Sequence, residues 1–127
     1  TLAEVSTAVD HLSGIEDLTI LHCTSQYPTQ DENVNLRAMT TLQQAFGSLK
    51  IGYSDHSRGL QACLAAVALG AQVIEKHFTY HTSMPGDDHA GAATPEMLAD
   101  LVRQIDRLET MLGSGQVGRI AAEELAA

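Results

Sequence analysis

The chain has 127 residues, the size of one domain, and 44% of them are hydrophobic, enough to build a core rather than a disordered segment. Sixteen acidic residues against seven basic ones leave a formal charge of −9. No basic stripe exists to neutralise phosphates, which argues against nucleic acid or an anionic membrane as partner.

The sequence starts with a capping box, Thr1-Leu2-Ala3-Glu4. Leu2, Val5, Val9 and Leu12 then recur at helical spacing, and Gly14 ends the segment. Leu18 to Cys23 is a short apolar run and reads as a buried strand. Pro28 makes the next residues loop. A second helix is predicted from about Asn33 to Phe46, with Leu36, Met39, Leu42 and Phe46 as its apolar stripe. Lys50 to Ser54 reads as a second strand. The segment from about Arg58 to Leu69 is apolar almost all round and predicts a helix packed on most sides. Ala71 to Phe78 is the third predicted strand. Residues 79–93 form a long irregular loop, a length that is usually functional. Thr94 caps a last long helix with Pro95 at its first position. Gly113 ends that helix, and a short helix is expected at 119–126.

Alternating helices and strands predict an α/β fold of parallel βα units. A closed (β/α)₈ barrel needs roughly 250 residues, about twice this length. Three parallel strands cannot close, so the sheet edges need cover from a second copy or from more chain. A homo-oligomer is one expectation; a piece of a longer chain is the other. No apolar run reaches the ~20 residues that span a bilayer. The start has neither the basic nor the apolar region of a signal peptide, and it has no initiator Met. Cys23 and Cys63 lack CxxC spacing and are expected to be buried free thiols in a cytoplasmic protein.

In parallel α/β folds the chemistry gathers at the carboxyl ends of strands. The first predicted strand ends in His22-Cys23-Thr24-Ser25-Gln26-Tyr27, the second in Ser54-Asp55-His56-Ser57, the third in Glu75-Lys76-His77. His56 and His77 fall at equivalent ends of neighbouring strands, about 5 Å apart by strand spacing. Two such imidazoles can hold a divalent metal, or each can serve as a hydrogen-bonded core residue. The HxxxH spacing of His77 and His81 would need a helix, which a strand end does not supply. Ser54, Asp55 and His56 are contiguous and point in different directions on a strand, so they do not form a hydrolytic relay. Asp87 and Asp88 could bind sugar hydroxyls or a cation, or be simply solvated.

Several of these segments are long and specific. Leu21-His22-Cys23-Thr24-Ser25-Gln26-Tyr27-Pro28, Gly52-Tyr53-Ser54-Asp55-His56, Val73-Ile74-Glu75-Lys76-His77-Phe78-Thr79 and Pro85-Gly86-Asp87-Asp88-His89 occur in one collinear order. In them the chain resembles the sialic acid synthase family, which includes N-acetylneuraminate, legionaminate and pseudaminate synthases. The resemblance runs over nearly the whole chain. It implies the last three βα units of a catalytic TIM barrel, over residues 1–127, without the barrel's first half or the family's antifreeze-like domain.

The resemblance also implies a reaction. Phosphoenolpyruvate condenses with an N-acylated hexosamine such as N-acetylmannosamine, giving a nine-carbon 2-keto acid and phosphate. By motif, His56 and His77 correspond to the family's metal ligands, for Mn²⁺ or Mg²⁺. Ser25, Tyr27 and Ser54 fall where the family contacts phosphoenolpyruvate, and Asp88 where it holds the sugar. The chain departs from the family's usual residues at Asp87, Ser25 and Ala92, which bears on sugar specificity. The family's phosphate-binding lysines have no counterpart in Lys50 or Lys76. The isolated chain is therefore expected to be weak or inert. The alternative is a half-barrel that self-associates as a non-catalytic module.

Overall fold

A computed structural model describes residues 1–118; the helix expected at 119–126 lies outside the described residues. Helix α1 (Leu2–His11) starts at the capping box, where the Thr1 hydroxyl accepts the Glu4 amide. Strands β1 (Thr19–Cys23), β2 (Lys50–Asp55) and β3 (Ile74–Lys76) pair in parallel in the order β1-β2-β3. Leu21 stands opposite Gly52, Cys23 opposite Ser54, Ser54 opposite Glu75, and Asp55 opposite Lys76. The third strand is shorter than the expected Ala71 to Phe78.

The helix expected from Asn33 to Phe46 is two helices, α2 (Asp31–Val34) and α3 (Arg37–Ala45). Asn35 separates them with φ 48°. Asparagine tolerates this left-handed conformation better than most residues, so it breaks the helix inside a continuous apolar pattern. Helix α4 (Gln61–Ala68) follows β2. Helix α5 (Pro95–Leu112) begins where predicted, its Thr94 hydroxyl accepting the Met97 amide. The 79–93 loop contains one 3₁₀ turn, Asp88–Gly91.

The core lies between the sheet and its helices. Val34, Met39, Tyr53 and Ala66 form its buried centre, with Leu36, Ala62, Ala71 and Ile74 packed against it. Strand alternation places Tyr53 and Asp55 on this face, and Gly52, Ser54 and His56 on the opposite one. Gly52 is required there: a Cβ would stand 2.4 Å from the Val73 carbonyl oxygen and 2.6 Å from Leu21 Cδ2.

Two expectations are corrected. Helix α4 buries Cys63, Ala66 and Val67 but leaves Ala65 and Ala68 exposed, because it packs on the sheet and α5 along one side only. Cys63 is buried but Cys23 is exposed: paired with Ser54, it shares the cleft-side face of the sheet, opposite the face on which Tyr53 joins the helix-packed core. The outer edges of β1 and β3 have no partner strand among the described residues.

Candidate active site

His56 directly follows β2 and His77 directly follows β3, so parallel pairing brings them side by side. Their ring centroids are 4.9 Å apart, with planes at 70°. Tyr27, from the loop after β1, lays its ring 4.3 Å from His56 and 5.8 Å from His77. Its peptide bond to Pro28 is cis. Asp88, on the 3₁₀ turn, places Oδ2 3.8 Å from His77 Nδ1. These four residues line one cleft together with Pro28, Asp87 and Gly91.

Backbone bonds fix both histidines. The Thr29 amide donates to the His56 carbonyl at 2.9 Å, and the Ala93 amide to the His77 carbonyl at 2.7 Å. Gly91 approaches so closely that a Cβ there would meet the His56 carbonyl oxygen at 2.9 Å. Thus the 79–93 loop is pinned over the strand ends, and it carries Asp88 with it.

The His56 ring is oriented too. Its Nδ1 lies 3.1 Å from the Thr24 carbonyl oxygen. A carbonyl only accepts, so Nδ1 carries the proton and Nε2 keeps its lone pair. This is the usual arrangement of a metal-binding imidazole. The donor set thus fits a divalent ion held by two nitrogens, with its other positions left to water and substrate. Among the described residues, no group of three or more His, Cys, Asp and Glu is placed to hold a metal.

On the other face of the sheet lies a buried ionic network. Lys76 Nζ is 2.7 Å from Asp55 Oδ2 and donates to the Ser57 carbonyl at 2.8 Å. Asp55 Oδ1 accepts from the Tyr53 hydroxyl at 3.0 Å and the Ser57 amide at 2.8 Å. Burial alone would raise the Asp55 carboxyl, but the Lys76 ammonium and the Ser57 donors together hold it below the ordinary range. Cys63 donates to Asp55 Oδ2 at 3.2 Å, and burial, then the Asp55 charge, push its thiol up to about 12.

The structure does not bring every predicted site residue into the cleft. Ser25 is exposed and outside the cleft lining. Ser54 is buried on the cleft-side face below His56, and its hydroxyl donates to Glu75 at 2.7 Å. His22 bonds the Val34 carbonyl at 2.8 Å on the helix side. His81 accepts from Ser83, as a loop residue rather than a helical partner of His77. The Asp55–Lys76 pair is absent from the sequence reading, which names both residues only as strand ends. The signal was present: each charge falls at a core-facing strand position, one residue before a histidine.

A profile described as the NeuB family matches residues 1–117. The chain belongs to the NeuB family. An N,N'-diacetyllegionaminic acid synthase of Legionella pneumophila is 46% identical over 121 residues, covering 91% of this chain and 34% of that protein. The N-acetylneuraminate-9-phosphate synthase of Homo sapiens is 47% identical over 94 residues, covering 74% of this chain and 26% of that one. The chain spans about a third of the length of curated relatives it matches. Among solved structures, the N-acetylneuraminic acid synthetase of Leptospira borgpetersenii, crystallised with citrate, superposes with a TM-score of 0.88. It is 38% identical and is matched over 99% of this chain and 44% of that one. The three parallel βα units described above resemble those of a (β/α)₈ TIM barrel.

Proposed function

We propose that this chain carries the metal- and sugar-binding side of a sialic-acid-type synthase barrel. The reaction is the condensation of phosphoenolpyruvate with an N-acylated hexosamine. The observation that carries this reading is the convergence of His56, His77, Tyr27 and Asp88 in one cleft at the strand ends, in a chain of the NeuB family.

His56 and His77 would hold the divalent ion, which supplies Lewis-acid stabilisation of the charge developing on the aldehyde oxygen. Two imidazoles suit Mn²⁺ better than Mg²⁺, which prefers an all-oxygen shell. Tyr27 covers one side of the imidazole pair and limits water there. Asp88 is half-open beside His77 and can accept from sugar hydroxyls. Tyr27 is the proposed neutral donor to phosphoenolpyruvate from the cleft wall; Ser54, whose hydroxyl donates to Glu75, and Ser25, outside the cleft lining, would have to turn toward the ligand to join it. In the overall change, C3 of phosphoenolpyruvate bonds to the aldehyde carbon. Water oxygen bonds to C2, and phosphate leaves with cleavage of its C–O bond.

Neither lysine of the chain is free to clamp a phosphate. Lys76 is buried against Asp55, and Lys50 pairs with Asp17 at 2.7 Å. The cationic clamp must come from elsewhere in the assembled barrel. The test is a chimera in which this chain replaces the matching segment of the Legionella relative. Phosphate release from phosphoenolpyruvate, dependent on an N-acylhexosamine and abolished by His56→Ala or His77→Ala, supports the reading. A folded chimera whose activity survives both substitutions, or that accepts simple aldehydes equally well, overturns it.

A further inference from the structure

We propose that the buried Lys76–Asp55 pair is a positioning device that sets the approach of the His56 and His77 rings. The inference rests on the shared role proposed above for the two histidines. It concerns residues that do not themselves line the cleft.

Each member of the pair immediately precedes one of the histidines. Because strand side chains alternate, the ion pair faces the helices while the imidazoles face the cleft. The Asp55–Lys76 alignment is the last rung of the β2–β3 ladder, and β3 has only three residues. Few backbone bonds therefore hold the two strand ends together where the histidines begin. Lys76 supplies what the ladder lacks. Its ammonium binds Asp55 Oδ2, just before His56, and the Ser57 carbonyl, just after it. Asp55 Oδ1 closes the same loop by accepting the Ser57 amide. His56 is thus held on both sides by a group anchored one residue before His77.

Stability alone is a poor explanation for this pair. Both side chains are almost wholly removed from water, at 3% and 0% exposure. An apolar pair of similar volume often serves the fold as well or better in such a place. A directional clamp, in contrast, fixes register between two short strand ends, which apolar contact does not.

The experiment compares the 127-residue chain with Lys76→Met and with the double variant Asp55→Asn/Lys76→Met, which removes both charges. Three quantities are read: the thermal midpoint, the ring-to-ring nuclear Overhauser effect between His56 and His77 in the metal-free chain, and Mn²⁺ affinity by the free-ion EPR signal. Positioning predicts that the double variant loses the ring-to-ring signal and binds Mn²⁺ about tenfold more weakly or worse, even where its midpoint matches the parent's. A double variant that keeps both the signal and the affinity overturns the proposal, whatever its midpoint. If the parent binds no Mn²⁺, the metal reading fails by itself, and the ring-to-ring signal alone decides positioning: its loss supports the clamp and its retention overturns it. If the double variant does not fold, Lys76→Met carries the same comparison, since it removes the clamping ammonium while Asp55 keeps its bonds from the Tyr53 hydroxyl and the Ser57 amide.

Discussion

The Nδ1 atom of His56 points at the carbonyl oxygen of Thr24, 3.1 Å away. That contact joins the loop after β1 to the end of β2, and it dictates which nitrogen of the ring faces the cleft as a lone pair. Backbone, not a side chain, sets the tautomer, so no substitution at residue 24 removes it directly.

The first prediction follows from this contact. In the neutral His56 ring, ¹⁵N chemical shifts should show a protonated Nδ1 and an unprotonated Nε2. The opposite tautomer would mean that the Thr24 carbonyl does not orient the ring, and Nε2 would lose its availability as a ligand.

Gly52 is the position where the sheet admits least change. A Cβ would press into Leu21 Cδ2 and into the Val73 carbonyl, which is backbone and does not yield freely. Gly52→Ala should lower the unfolding free energy by about 1–3 kcal/mol, as overpacking does in a tight core. Urea unfolding of the two chains checks this, and an unchanged midpoint would contradict the register of β1, β2 and the segment before β3.

Much of the fold was legible because the apolar pattern and the caps agreed. Thr94 and Pro95 marked the start of α5, and the capping box at Thr1 marked α1. Asn35 was missed because its effect is conformational: a left-handed residue leaves no gap in hydrophobic spacing. The third strand was overestimated because Val73 and Phe78 look like strand interior. They flank an open edge instead and are substantially exposed. Strand ends and motif point to His56, His77, Tyr27 and Asp88, and the structure lines one cleft with them. The Thr24 carbonyl was not legible, since a backbone acceptor has no sequence signature. The Asp55–Lys76 pair required knowing the register that places the two residues opposite each other.

Acid should expose the Asp55 network. The folded carboxyl lies below its ordinary value of 3.8, so its contribution is complete above that value and is lost as pH falls through the folded one. The thermal midpoint should therefore drop as pH falls from about 4, and the Asp55→Asn/Lys76→Met variant should lack that part of the drop. Equal acid sensitivity in both chains would show that Asp55 does not couple to folding in this way.

The two thiols should separate cleanly in reactivity. Cys23 is exposed, whereas Cys63 is buried with its thiol raised to about 12. The thiolate is the reactive form, so at pH 8 an alkylating agent should modify Cys23 and leave Cys63 intact until the chain unfolds. Mass spectrometry of the native and denatured chain reads this directly. Rapid modification of both in the native chain would contradict the packing of α4 against β2.

The most direct test of a joint His56–His77 metal site is Mn²⁺ binding to the folded chain, read from loss of the free-ion EPR signal. Binding by the parent chain that disappears in His56→Ala and again in His77→Ala is the predicted result. An undiminished free-ion signal with the parent, or binding that survives both substitutions, would contradict it.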